Sequence, residues 1–494
     1  MTQPGDELLR VRREKLDRLR DRGVDPYPHK YDRTHTSAQA VAYLEAAEAG
    51  GGDGVRTDRV SVAGRVVGMR RMGRAAFIDL QDGGGRLQVL LRKNIVPEAY
   101  EMLDDFDVGD WLGVEGPVMR TRTGEPTVEA HDCTLLSKAL RSLPEKWHGL
   151  ADVETRYRQR YLDLISNEES RRIATLRSKA ISALRRFMDG HGFMEVETPV
   201  LVPVAAGGTA TPFTTHYKSL GRDLYLRIAT ELYLKRLIVG GLEKVYEIGR
   251  TFRNEGVDAT HNPEFTMMES YEALADYNDV MTMVEELFHT VAVEVLGTST
   301  VELDGNEIDL TPPWPRLDLR EEIKRHSGID FLEANDIESL KTEMKMIGLD
   351  VGNQLSWGGL LDKLLSDTVE PKLVQPSFLV DYPIEMSPLA KKKRGDPRVV
   401  ERFEGFIAGM EVCNSFTELN DPVDQRERLE QQEALHEQFQ DEDMDRLDED
   451  FLVALEHGMP PTGGLGLGID RMVMLLTGQR SIREVVLFPQ LRSR

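Results

Sequence analysis

Residues 245–271 read VYEIGRTFRNEGVDATHNPEFTMMESY. Apolar runs at either end flank a polar middle, a pattern that predicts two strands joined by a long loop, with Arg253, Glu255, His261 and Phe265 aimed into one cleft. A guanidinium held at such a point suits a phosphate or a carboxylate, because its fork is planar and always charged. A plain hairpin with solvated charges is the competing reading of the same string.

Two further segments place charge inside apolar stretches. Before the hairpin, GFMEVETPVL at 192–201 follows a predicted helix from Glu168 to Asp189, and Pro199 suits a strand end because it cannot donate to a ladder. After it, GGLGLGIDRMVMLL at 463–476 alternates glycines that permit close backbone approach on a strand, and Arg471 opens an apolar helix. The chain has neither a GxxxxGK[ST] loop nor a strand-borne GxGxxG, which disfavours the nucleotide folds built on them. Apolar runs alternate with helices from residue 168 onward without a βαβ rhythm, so an α+β domain with a mostly antiparallel sheet flanked by helices is expected.

The N-terminal part has a different period. From Arg59 to Leu136 apolar residues alternate in short runs between Gly and Asp turns, which predicts a small five-stranded oligonucleotide-binding barrel. Phe77, Gln88, Arg70, Arg71 and Arg74 would suit single-stranded nucleic acid on such a barrel; a core phenylalanine and a solvated hairpin are the alternative. Asp6–Arg22 reads as a charged helix, either solvated or touching an RNA backbone, and the Gly50–Gly54 run reads as a linker. The expected organisation is a charged helix and linker at 1–55, the barrel at 56–140, a polar connector at 141–167 and the large domain at 168–494.

With 494 residues, 40% of them hydrophobic, the chain exceeds a single core, and disorder throughout is excluded. The formal charge of −23 lies almost wholly beyond residue 140, so any nucleic acid must be met by local patches. Cys133 and Cys413 are too few for a disulfide framework or a Cys/His zinc site. The charged N-terminus lacks the apolar core of a signal peptide, and no apolar run is long enough to cross a membrane. A reducing, cytoplasmic location is expected. The basic run Lys391–Arg394 reads as a solvated loop, and Asp441–Asp450 as an exposed helix or loop.

Together, and in this order, the three segments resemble the signature motifs of class II aminoacyl-tRNA synthetases. The longer strings LPEKWHGLADVETRYRQRYLDLI, LRIATELYLKRLIVGGLEKVYEIGRTFRNEG, THNPEFTMMESYEA and PPTGGLGLGIDRMVML are similar to bacterial lysyl-tRNA synthetases over nearly the whole chain. The resemblance implies ATP-dependent ligation of L-lysine to lysine tRNA by a homodimer, without DNA or a membrane as partner. It assigns the α-phosphate or the amino-acid carboxylate to Arg253, and the adenine face and γ-phosphate to Arg471 opposite Phe265. Glu255, His261 and Asn262 complete the ATP site, His261 for binding only. Glu404 and Glu411 are the implied Mg²⁺ pair; alone they read as ordinary sheet-edge charges. Glu231 and the Gly207 backbone are assigned to the α-ammonium, Glu269, Tyr271 and Glu418 to the ε-ammonium, and Asn414 and Phe416 to the pocket wall. Phe77, Gln88, Arg70 and Arg71 are assigned to the anticodon. Thr230 stands where the family pattern has proline, with no loss of activity expected. A non-catalytic tRNA-binding paralogue and a protein-lysylating relative are the alternatives; the intact Arg253, Glu404, Glu411 and Arg471 count against the first and the N-terminal barrel against the second.

Overall fold

The structure, a computed structural model, describes residues 4–51, 54–144, 150, 152–207, 210–352, 354, 356–439 and 448–492. The chain divides into two compact units, 1–151 and 152–494. Among the described residues no helix is long and apolar enough to cross a membrane, and Cys133 and Cys413 are both buried and free.

The first unit is a barrel built from β1 (Arg56–Met72), β2 (Ala75–Asp82), β3 (Gly85–Arg92), β4 (Trp111–Arg120), β5 (Pro126–Glu129) and β6 (Asp132–Ser137). The sheet runs β1-β2-β3-β5-β4-β6 and closes because the long β1 pairs with both β2 and β4. A sixth short strand thus joins the five expected. Alternation sends Ala76, Ile78 and Leu80 into the core while Phe77 and Asp79 take the outer face. The helix Pro4–Asp21 buries Leu16 and Leu19, and its Arg12 is also buried, donating to the carbonyls of Val108, Ala139 and Arg141. The expected linker is corrected: a helix spans Ser37–Gly51, favoured by its alanine-rich sequence and anchored by Ala40 and Leu44, so Gly50 and Gly51 belong to it. Residues 52 and 53 lie outside the described residues.

The second unit begins with two short helices, Val153–Arg158 and Arg160–Ser166, in the segment expected as a polar connector. Their polar side chains are inward: Arg160 is 2% exposed, pairs with Asp163 at 2.7 Å and donates to the carbonyls of Arg483 and Leu487. Asp163 also receives Arg156 and the Ser170 hydroxyl, which ties the segment to the long helix Glu168–Gly190. Polarity here marks a buried ion network rather than a solvated link.

The central sheet of this unit uses β7 (Met194–Glu195), β11 (Lys244–Phe252), β12 (Glu264–Ala273), β15 (Arg316–Asp318), β16 (Ser377–Pro383), β17 (Lys392–Lys393), β18 (Asp396–Ile407), β19 (Met410–Thr417) and β20 (Thr462–Gly468). Strands β8 (Leu201–Val202), β9 (Thr214–Tyr217) and β10 (Arg222–Leu226) form a separate small sheet, and β13 (Thr300–Leu303) with β14 (Asn306–Asp309) a hairpin. The order is β15-β16-β18-β19-β20-β12-β11-β7, with β17 on β18. Only the two outer pairs, β15 with β16 and β11 with β7, are parallel. Helices Glu168–Gly190, Tyr277–Leu296 and Ile469–Thr477 pack on one face through Leu184, Phe288 and Leu475. The mostly antiparallel, helix-flanked sheet expected from the sequence is therefore present.

The basic run is not freely solvated. Lys391 donates to Asn420, Lys392 to Asp424 and Lys393 to Asp381, the last two pairs charged. Of the acidic 441–450 stretch, residues 441–447 lie outside the described residues, while Asp448 caps the helix Glu449–Glu456 through the Phe451 N–H.

Candidate active site

The register of the central sheet assembles the site. Reading across it, Glu404 lies opposite Asn414, Asn414 opposite Gly466, and Gly466 opposite Glu269. The next row on the same face runs Arg402, Phe416, Gly464, Tyr271. Directly paired residues share a sheet face, so two glycines leave a slot between two walls of functional side chains. Gly464 has to lack a side chain, since a Cβ there would lie 1.9 Å from Glu418 Oε1 and 2.6 Å from the Tyr271 ring. The slot opens into a cavity of about 520 Å³ lined by all fifteen residues that the sequence nominated in this unit.

One end of the cavity is acidic. Glu231 stands at the first turn of the helix Glu231–Val239, beside Gly207, whose φ of 89° is in the left-handed region. Glu269 is 4% exposed; its Oε1 accepts the Thr230 backbone N–H at 3.0 Å and its Oε2 has no hydrogen-bond partner among the described residues. Burial, then the charge of Glu231, pushes the Glu269 carboxyl up to about 7, against the pull of the Thr230 donor. Burial also raises Glu418, which is fully enclosed, and the neighbouring carboxylates add to that, while Lys235 opposes it. Tyr271 is raised well above its ordinary value by burial and by Glu231, Glu269 and Glu418, so it remains a neutral phenol. Asn414 offers its Oδ1 to Arg402 Nε at 3.1 Å.

The other end carries the cations. Arg253 lies with its guanidinium 5.3 Å from the Phe265 ring centroid, and its buried Nε has no hydrogen-bond partner among the described residues. Arg471 Nη1 donates to the Glu411 carbonyl at 2.6 Å and to Glu411 Oε2 at 3.0 Å. His261 is exposed and its Nδ1 is 2.8 Å from Asp258, while Glu255 is exposed at the rim. Asn262 is buried with its amide engaged, Nδ2 donating to the Glu264 carbonyl and Oδ1 accepting from the Gln490 N–H. Glu404 accepts from the Tyr382 hydroxyl at 2.8 Å and from Arg402 at 2.5 Å. Burial and the charges of Glu404, Asp362 and Glu411 lift nearby Glu370 to about 7, with Arg471 in opposition.

Two residues of this constellation were not singled out from sequence. Lys235 is buried and bonds Glu231 at 2.5 Å; its signal is the four-residue spacing that puts both on one helix face. Arg402 joins Glu404 to Asn414 and stacks 5.6 Å from Phe416, and its signal is the two-residue spacing before Glu404 on one strand.

On the barrel, Arg70 lies opposite Phe77, and Gln88 opposite Asp79, so Phe77, Arg70 and Gln88 share the outer face. Arg71 lies opposite Ala76, on the other face, and pairs with Asp104 at 2.9 Å. Of the five barrel residues named from the sequence, the structure therefore brings Phe77, Arg70 and Gln88 together, leaves Arg71 out, and puts Arg74 in the turn between β1 and β2.

Residues 152–492 match the family described as tRNA synthetases class II (D, K and N), and residues 60–136 the OB-fold nucleic acid binding domain. A lysine–tRNA ligase of Dehalococcoides mccartyi is 54% identical over 99% of this chain and 98% of its own length. The chain belongs to the lysine–tRNA ligase family of class II synthetases. Family members from Pelotomaculum thermopropionicum and Enterococcus faecalis are 52% and 51% identical, each over 99% of this chain and covering 96% and 97% of the relatives. The barrel face of Phe77 falls within the family's nucleic-acid-binding domain, and the glycine slot within its synthetase domain.

Proposed function

We propose that this chain activates L-lysine with ATP and transfers it to lysine tRNA. The observation that carries the substrate is the acidic end of the glycine slot, where Glu231, Glu269 and Glu418 converge beside the neutral Tyr271. Carboxylates crowded out of water are costly unless a cation joins them, so this end favours a ligand with ammonium groups and leaves an uncharged side chain of equal length poorly matched. Lys235 already pairs with Glu231 and Glu418, so an apolar competitor would leave the excess negative charge of the three acids, Glu269 above all, without a cation, which supports discrimination of roughly 10⁴-fold.

In this reading Glu231 and the Gly207 backbone take the α-ammonium, and Glu269, Tyr271 and Glu418 take the ε-ammonium. Asn414, held by Arg402, and Phe416 form the wall. The lysine carboxylate then points to the cationic end, where Arg253 holds it against the α-phosphate and Phe265 backs the adenine. Attack of a carboxylate oxygen on the α-phosphorus breaks the bond to pyrophosphate and leaves lysyl-adenylate. A terminal ribose hydroxyl of the tRNA next attacks the acyl carbon; AMP leaves with the mixed-anhydride oxygen, and the hydroxyl proton passes to solvent or phosphate. Neither step uses a protein nucleophile. Arg253 and Arg471 act by positioning and by neutralising charge. Arg471 holds Glu411 through Nη1 alone, so its Nη2 and Nε donors can meet the γ-phosphate while that bond is kept.

No group of three or more His, Cys, Asp or Glu ligands is assembled among the described residues. Glu404 and Glu411 offer hard oxygen donors in the cavity, and a divalent cation beside them would offset the carboxylate repulsion that, after burial, raises nearby Glu370. Mg²⁺ bound there, completed by phosphates and water, would supply charge neutralisation on the ATP tail. On the barrel, Phe77, Arg70 and Gln88 are proposed to read the anticodon by stacking and amide contacts. A homodimer in the cytoplasm completes the proposal.

The test is lysine-dependent ATP–pyrophosphate exchange with Mg²⁺, followed by charging of lysine tRNA. Absence of both activities from purified protein, or equal exchange with norleucine, overturns the proposal.

A further inference from the structure

Lys235 is wholly buried behind the amino-acid pocket and does not line it. Its Nζ donates to Glu231 Oε1 at 2.5 Å and is ion-paired with Glu418, and it lies 5.9 Å from the ring centroids of both Tyr271 and Phe451. A lone lysine this deep would shed its proton, but here the two carboxylates hold it charged: they raise it above its ordinary value although burial alone would lower it. The groups that face it are Glu231 on its own helix, Glu418 after β19, and Tyr271 with Glu269 on β12; the helix Glu449–Glu456 contributes only the Phe451 ring. Glu247, a further acid whose charge acts on Glu269, is already bonded to Arg227 and the Thr198 hydroxyl.

The charges of this end at full ionisation can therefore be counted: three negative, on Glu231, Glu269 and Glu418, and one positive, on Lys235. We propose that Lys235 is a positioning residue that sets the charge of the pocket, permanently cancelling one of three acids so that two negative charges face the two ammonium groups of the substrate. This rests on the lysine reading above. Without the internal cation, three acids would face two ammonium groups. Carboxyls already raised by burial would then hold their protons to still higher pH, and more protons would have to be expelled each time lysine binds.

Lysine KM, ATP KM and kcat for pyrophosphate exchange would be measured from pH 6 to 9.5 on the full chain. For Lys235→Met, near in length and uncharged, lysine KM at pH 7 is expected to rise about tenfold or more, because a missing neighbouring charge shifts a carboxyl by roughly 1–3 pH units. The pH at which KM levels off should move upward by about one unit or more, while ATP KM stays within about threefold. The double variant Lys235→Met with Glu418→Gln removes one charge of each sign and restores the count. It is expected to level off at the wild-type pH and, although it carries one more change, to bind lysine more tightly than Glu418→Gln alone.

That last comparison holds even where Lys235→Met by itself fails to fold, since the double variant removes one charge of each sign and leaves only Glu231, which lines the cavity, without its lysine partner. A double variant no better than Glu418→Gln, or a Lys235→Met profile that levels off with the wild type, overturns the proposal and leaves Lys235 a packing residue. Wild-type protein inactive towards lysine would instead overturn the lysine reading itself.

Discussion

Glu269→Gln separates what the pocket costs the fold from what it does for the ligand. The Glu269 carboxyl titrates near 7 in the folded protein against 4.5 for the ordinary group. Its folded value is raised, so its charge opposes folding: the penalty is fully present above pH 7, shrinks as pH falls through the folded value and is gone below the unfolded one. Two to three pH units correspond to roughly 3 kcal/mol at pH 8. Glutamine keeps an oxygen for the Thr230 N–H and carries no charge, so the variant should be more stable than wild type by about 2–3 kcal/mol at pH 8 and about equal at pH 4. Lysine binding should move the other way. Removing one partner of a buried charge pair costs about 2–5 kcal/mol, so lysine KM should rise by roughly 30-fold to several thousandfold, with ATP KM within about threefold. Denaturant unfolding of the unliganded protein at both pH values and pyrophosphate exchange at pH 8 provide the two readouts. A variant less stable than wild type at pH 8, a stability difference independent of pH, or equal shifts in both KM values would refute the argument.

Three other outcomes are expected. Gly464→Ala places a Cβ 1.9 Å from Glu418 Oε1, so lysine activation should fall by about 10²-fold or more while ATP KM changes little, read by the same exchange assay. Thr230→Pro removes the N–H that Glu269 accepts at 3.0 Å; lysine KM at pH 7 should rise by about tenfold and approach wild type by pH 9, and a pH-independent change would count against this role. Phe77→Ala should raise the tRNA KM in aminoacylation by roughly 5- to 150-fold, the worth of one stacked base, and leave tRNA-independent exchange untouched.

The barrel and the helix-flanked sheet were legible in the sequence because both rest on local periodicity: alternation at Ala75–Leu80, helical spacing across Glu168–Gly190, and alternate glycines at 463–468, of which Gly463 and Gly464 sit where a Cβ would clash. The segments carrying Arg253, Phe265, Glu269 and Arg471 were legible for a related reason, since charge inside an apolar run is a departure that one string displays by itself. Composition misled at two places. The alanine-rich helix Ser37–Gly51 takes in Gly50 and Gly51, where the glycine run signalled a linker, and the polar 152–166 went inward because Arg160 and Asp163 satisfy each other.

Strand register and long-range pairing were decided only in three dimensions. Which residue faces Gly464 or Gly466 depends on hydrogen bonds between strands far apart in the chain, and a slip of one residue would turn every pocket side chain to the opposite face of the sheet. The bridge of Arg402 from Glu404 to Asn414 follows from that register, the turning of Arg71 away from Phe77 from the register of β1 on β2, and the closure of Lys235 on Glu418 from the packing of the helix Glu231–Val239 beside the sheet. The order of residues carries the identity of the charges, and packing alone determines which of them meet, because a charge acts through its distance to the next and that distance is a property of the folded chain.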